Sequence, residues 1–317
     1  MRSLVPARSA YLCRARSTVS WVSVEGGSAV PVSAHTQVTD LSLNDHACLT
    51  FGEQEELLDL TAAFVRDGLA SGCRVVVLSD APQIATAKLG GHEVAAESVA
   101  AGQVVLVASQ DGLVGPCGFS AERAMEWLRG QLADSRRQGY AGVRIALDMS
   151  WALQPMTGIE ELPALEEEIA AAVSDAEMSV LCGYDRERFD PVTLALIAPM
   201  HSHAVAAATY HDDPVLRICR QYVPPGVRLA GELDFLAREA LALALGEAIR
   251  IDGDITINMS HLSFIDAASM RMILDAAASL NPSRTVVLRC RPSIEARFAQ
   301  LGVDLQPHVS LVGVHDK

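Results

Sequence analysis

The 317-residue chain contains no Cys-x-x-Cys pair, no excess of basic residues and no apolar run long enough to cross a membrane. Each absence excludes a class. Seven cysteines, at 13, 48, 73, 117, 182, 219 and 290, are odd in number and scattered, which argues against a disulfide framework. They suit reduced thiols in a cytoplasm. A spanning helix needs roughly 18 consecutive apolar residues, so no transmembrane segment is expected. Lys and Arg number 25 against 39 Asp and Glu, and the net charge of −14 disfavours nucleic acid and anionic membrane as partners. Protein and small-molecule partners fit better. Neither an internal repeat nor a low-complexity tract is visible.

What is present is a substantial apolar fraction, 50%, over a length that suits two domains. Residues 1–38 carry Arg2, Arg8, Arg14 and Arg16, with no acid among the first 24, and read as a disordered leader or an over-extended start. From Asp45 onward strand and helix patterns alternate. Strands are expected over Cys48–Phe51, Arg74–Ser79, Gln103–Ala108, Val143–Met149 and Met178–Asp185. Helices are expected over Glu53–Ala70, Pro82–Leu89, Ser120–Gly139 and Gly158–Val173, the first with Leu57, Leu60, Phe64 and Val65 on one stripe. Such alternation predicts a three-layer α/β domain over 39–210.

His211 to Pro225 reads as a linker on its Asp-Asp-Pro and Pro content, although strands are also suggested near Val215–Tyr222 and Val227–Ala230. A helix over Leu236–Ile249, a strand over Asp254–Met259, a helix after Asp266, a strand over Thr285–Arg289 and a helix over Pro292–Leu301 complete a smaller α/β domain over 211–317.

In a doubly wound sheet, ligands bind beyond the carboxyl ends of the strands. Asp148, Trp151, Tyr184, Asp185 and Arg186 follow such ends and are candidates for one pocket. Trp151 serves equally as core, and Arg186 equally as a surface partner of Asp185, Glu187 or Asp190. His46 and Cys48 are alternate residues of the first strand and suggest a metal fragment, with Cys182 and His201 as possible further ligands. A buried Cys48 thiol beside a hydrogen-bonded His46, or a redox sensor, fits the same residues. The sequence assigns no cofactor, no metal and no catalytic residue.

Asn44-Asp-His-Ala-Cys-Leu-Thr-Phe, Asp148-Met-Ser-Trp-Ala-Leu, Leu181-Cys-Gly-Tyr-Asp-Arg-Glu-Arg-Phe-Asp and His201 together resemble the MEDS domain of bacterial regulators. That resemblance implies a RecA-like parallel-sheet fold and a sensor of a small organic ligand. No phosphate-binding loop follows the first strand: Phe51-Gly-Glu-Gln-Glu-Glu lacks the Lys-Ser/Thr pair and would repel triphosphate.

Near the C-terminus, Ile255 to Phe264-Ile265-Asp266-Ala267-Ala268-Ser269 and Gly231-Glu-Leu-Asp resemble the STAS domain of anti-sigma-factor antagonists. Ala267 stands where that family carries its phosphorylatable serine. The resemblance implies a partner-binding surface around Asp234, Ser263, Asp266, Ala267 and Ser269, taking an anti-sigma factor or other kinase-like regulator without the usual phosphate. The expectation is therefore a cytoplasmic signalling protein with no catalytic activity. Two alternatives stand beside it: a degenerate nucleotide hydrolase using Glu53, Glu55 or Asp148, and a scaffold that self-associates through its C-terminal domain.

Overall fold

Unbroken aliphatic runs fold as central strands because both faces of a parallel sheet are covered. In the computed structural model, which describes residues 36–80, 96–301 and 307–314, β1 (His46–Phe51), β2 (Arg74–Ser79), β3 (Val104–Ala108), β6 (Val143–Asp148), β7 (Met178–Asp185) and β8 (His203–Val205) form one sheet. Its order is β3-β2-β6-β7-β1-β8, with neighbouring strands parallel. A short hairpin, β4 (Val114–Gly115) with β5 (Gly118–Phe119), stands apart. The helices are α1 (Gln54–Ala70), α2 (Ala96–Ala100), α3 (Ala121–Arg137), α4 (Leu162–Val173) and α5 (Pro191–Ile197).

Side chains alternate along each strand, so the sheet has two distinct cores. Ala47, Leu49 and Phe51 pack with Leu57, Leu60 and Phe64 of α1 on one face. Cys48, Val180, Cys182 and Tyr184 pack with Leu128 of α3 and with Leu165 and Ile169 of α4 on the other. This is the three-layer arrangement expected. Gly72 and Gly139 end α1 and α3 at φ of 70° and 78°, a backbone that stops a helix at little cost only for glycine.

The second sheet takes the order β14-β13-β12-β11-β10-β9. Its strands are β9 (Thr209–Asp212), β10 (Leu216–Tyr222), β11 (Pro225–Leu233), β12 (Ile255–Ile265), β13 (Val286–Cys290) and β14 (Val309–Gly313). Helices α6 (Arg238–Ile251), α7 (Ala267–Ala278) and α8 (Pro292–Gln300) cover one face, burying Ile218, Leu229, Ile257 and Leu288.

The opposite face of β10 to β12 meets α1. Arg217, Cys219, Gln221, Arg228 and Asn258 are buried there, where alternation points them away from the helices. Helix α1 thus lies between the two sheets, with Leu57, Leu60 and Phe64 on one and its acids on the other. Arg228 pairs with Glu53 and reaches Glu56 at 3.8 Å, and Arg217 pairs with Glu56 at 2.7 Å. Asp59 accepts from the backbone N–H groups of Tyr222 at 2.9 Å and Val223 at 2.6 Å. Arg66 donates to the Tyr222 carbonyl at 3.1 Å.

Four readings change. The expected linker over 211–225 is mostly strand: Asp213 accepts from Val215 and Leu216 N–H at 2.8 Å to make the β9–β10 turn, and β10 carries the contacts to α1. The Asp and Pro signals mark tight turns between strands, not a tether. The expected leader ends early, because Thr36 pairs with Val205 and Val38 is fully buried. Strand β12 continues to Ile265, leaving Asp266 alone before α7. The helix expected over Ser120–Gly139 runs over Ala121–Arg137, with Ser120 at its N-cap making no side-chain cap bond and Glu161 accepting the Ala121 N–H at 2.9 Å. The rest of the leader and the helix expected over Pro82–Leu89 lie outside the described residues.

Candidate functional site

Three groups of side chains emerge from this framework. The first is buried between the first sheet and α4. His46 at the start of β1 and Cys182 on β7 face α4, whose apolar stripe of Leu162, Leu165, Ile169 and Val173 includes Glu166. His201 closes the group from the segment before β8. The His46 Nε2 lies 3.0 Å and the His201 Nε2 3.3 Å from Glu166 Oε2, while Cys182 Sγ lies 3.4 Å from His46 Nε2 and 3.6 Å from Glu166 Oε2. The imidazole rings sit 4.1 Å apart. Tyr184 donates its hydroxyl to Glu166 Oε1.

Burial governs the charges here. Desolvation would raise the Glu166 carboxyl, yet His201 and His46 together hold it far below the carboxylate range. Burial pulls the His46 imidazole down, opposed by its bond to Glu166. Cys48, the register neighbour of Cys182, is pushed up to about 12 by burial and then by the Glu166 charge, and Cys182 is raised for the same two reasons. Cys48 stands outside the group of converging donor atoms.

The second group lies beyond the carboxyl ends of β2, β3 and β6. Asp80, Ser109, Gln110, Trp151, Gln154 and Met156 help line a cavity of about 200 Å³. Trp151 is 1% exposed and packs 4.9 Å from Phe119, but among the described residues its Nε1 has no hydrogen-bond partner, nor has the buried Ser109 Oγ. Buried donors without partners are costly, on the order of 1–3 kcal/mol each, and a ligand offering acceptors would relieve them. Asp148 caps the turn after β6 by accepting the Ser150 N–H at 3.0 Å, and burial raises its carboxyl.

The third group surrounds the start of α7. Asp266 caps the helix by accepting the Ser269 N–H at 2.6 Å, and Asp234 accepts the Leu236 N–H at 2.9 Å. Ala267 and Ala268 are exposed, as is Ser263, whose hydroxyl donates to the Gly231 carbonyl at 3.0 Å. Phe264, Val215, Phe235 and Leu236 are exposed at 42%, 56%, 62% and 78%. Val215, Leu236 and Phe264 share a cavity of about 280 Å³ with Asp234. Gly231 shapes this edge: at φ 102° any added Cβ would lie 2.0 Å from the Val215 carbonyl oxygen.

The expected single pocket therefore divides. His46, Cys182, Tyr184 and His201 gather around Glu166, with Cys48 beside them. Trp151 belongs to the second cavity, and Asp148 lies in a separate small recess against α1. Asp185 caps its own turn through Glu187 N–H at 2.9 Å, and Arg186 pairs with Glu187 at 3.5 Å and Asp212 at 3.9 Å. Ser269 is 2% exposed, so it belongs to the interior and not to the partner-facing surface. Glu166 was not foreseen. The visible signal was a lone carboxylate within a helical apolar stripe, where an unpaired charge is expensive.

Comparison with known proteins adds to this geometry. Residues 45–202 match the family described as the methanogen/methylotroph, DcmR sensory domain, MEDS, and residues 222–311 match the STAS domain. No curated protein matches the sequence. Among solved structures, a KaiC-like protein from Pyrococcus horikoshii OT3 is similar over 59% of this chain and 79% of its own, at 10% identity and a TM-score of 0.41.

Proposed function

We propose that this chain, a signalling regulatory protein carrying a MEDS domain followed by a STAS domain, uses the first to sense a small ligand and the second to dock a kinase-like regulator such as an anti-sigma factor. It catalyses nothing itself and works in the cytoplasm. The observation that carries the docking half is the exposed apolar set Val215, Phe235, Leu236 and Phe264 beside the start of α7. Scattered apolar residues need no explanation, but several large ones around one cavity mark an interaction surface. Ala267 at the helix start is exposed and lacks a hydroxyl, so docking there proceeds without phosphate.

The cavity lined by Trp151, Ser109 and Asp80 supports the sensory half, at the strand ends where α/β domains bind ligands. Helix α1 touches both sheets, so a ligand that favours one setting of the first domain can bias the second.

Binding of the full chain to a candidate anti-sigma kinase, followed by calorimetry, tests the docking surface. Leu236→Asp and Ala267→Asp should each weaken binding by roughly tenfold or more, since each places a charge in a desolvated contact. Wild-type affinity in both variants would remove this surface from the proposal.

A further inference from the structure

The cluster around Glu166 is a set of electron-pair donors pointed at one another. His46 Nδ1 lies 3.2 Å from the Met200 carbonyl and His201 Nδ1 lies 3.0 Å from the Ile197 carbonyl. A carbonyl oxygen only accepts, so each Nδ1 carries a hydrogen and Nε2 is the nitrogen left to face Glu166 or an ion. Both Nε2 atoms aim at Glu166 Oε2. Among the described residues, His201 Nε2, on a side chain 1% exposed, has no hydrogen-bond partner despite that 3.3 Å approach.

We infer that His46 Nε2, Glu166 Oε2, Cys182 Sγ and His201 Nε2 form a four-coordinate site for a divalent, borderline-soft metal ion, with zinc the best fit. These donors all lie within 4.8 Å of one another. Bonds of about 2.0 Å to nitrogen and oxygen and 2.3 Å to sulfur put tetrahedral donors roughly 3.3–3.6 Å apart. Four of the separations, at 3.0, 3.3, 3.4 and 3.6 Å, need little adjustment, and the two remaining pairs lie within 4.8 Å. Binding replaces the Cys182 thiol proton, and the thiolate and carboxylate then neutralise the ion in a site shut off from water.

The surroundings are those of a metal centre. Each imidazole donates its far N–H to a backbone carbonyl, which fixes ring and tautomer. Tyr184 occupies Glu166 Oε1 and leaves Oε2 to bind. Four protein donors with none left for water make this a closed site, suited to holding structure or reporting metal, not to hydrolysis. The ion would pin the segment ending at His201 to β1, β7 and α4, directly before β8 leads into the second sheet.

Untagged full-length protein, purified reduced and reconstituted first with zinc and then with cobalt(II), provides the test. Mass spectrometry of elements should find about one ion per chain, and cobalt should give tetrahedral visible bands with a thiolate charge-transfer band. Cys182→Ser should remove the charge-transfer band, and His201→Gln should bring the stoichiometry close to zero. Cys48→Ser should leave both unchanged. Because ligand variants can fail to fold, the wild-type protein is also stripped with a chelator, which should lower its Tm, and zinc should restore it. Folded wild-type protein that takes up no zinc, or a Cys182→Ser protein that keeps the charge-transfer band, would overturn the site. Partner binding is measured separately, so either idea can fail alone.

Discussion

Two buried polar clusters lie on opposite sides of the first sheet, one beyond α1 against the second sheet and one against α4, and they are built on opposite principles. Between α1 and the second sheet, acids face bases: Glu53 and Glu56 meet Arg228 and Arg217, and Asp59 meets backbone N–H groups. Around Glu166, by contrast, imidazole, carboxylate and thiol donors face one another. A cluster whose charges compensate is a joint, because removing either member leaves the other stranded. A cluster of like donors is completed by a ligand. The contrast separates a joint between the sheets from a set of donors that converge on one point.

The largest test of that distinction is Arg228→Met. Its guanidinium side chain is 3% exposed, and its loss leaves Glu53 without its partner while Glu56 keeps Arg217, at a cost of about 3 kcal/mol. Urea unfolding should show this loss and separate the two domains into distinct transitions. A cost below about 1 kcal/mol would mean that the joint is held by apolar contact alone.

A smaller loss is expected at Asp59. Asp59→Ala leaves the Tyr222 and Val223 N–H groups buried without an acceptor and should cost about 2–4 kcal/mol. Asp59→Asn should cost less, because one amide oxygen can accept both bonds. Burial pushes the Asp59 carboxyl up to about 7, against the opposing pull of the Tyr222 and Val223 N–H groups. Its folded pKa is above its unfolded one, so folding takes up a proton and stability falls as pH rises from about 4 through about 7. The urea midpoints of wild type at pH 6 and pH 8 should differ more than those of Asp59→Asn. Equal differences would clear Asp59 of this dependence.

The smallest effect belongs to His261 and Glu55, which meet at 3.4 Å near the surface. The hydrogen bond to Glu55 raises His261; the contact lowers Glu55 against the opposing pull of burial. The histidine contribution is fully present below about pH 6.5 and fades as pH rises through its raised folded value, while the glutamate contribution is present above about pH 4.5 and fades below it. His261→Ala should therefore lower Tm near pH 5.5 and have almost no effect at pH 8.5, with a difference worth under about 1 kcal/mol. An equal loss at both values would assign the residue a packing role.

Local patterns carried most of the fold in the sequence. β-branched runs placed β2 and β6, and the spacing of Leu57, Leu60 and Phe64 placed α1. The joint was hidden because its partners are far apart: Glu56 and Arg217 are neighbours only after both sheets have formed. An acidic first turn satisfies the helix dipole equally well in isolation, so Glu53, Glu55 and Glu56 gave no sign of a second role. The metal-capable group was half legible. His46, Cys182 and His201 were visible as residue types, whereas Glu166 looked like one more acid in a Glu-Glu-Glu run. Ser269 was misplaced for want of periodicity: it shares a helical stripe with Met270, Ile273, Leu274 and Ala277, all buried.

Helix α1 also limits how the protein can be taken apart. A transplant of the C-terminal half into another chain would lay bare Arg217, Cys219, Gln221 and Arg228, a face that is cationic and partly oily at once. Such a surface invites stray acidic partners and clumping. A usable graft has to carry residues 53–66 along, or else recode those strand positions with small neutral polar side chains.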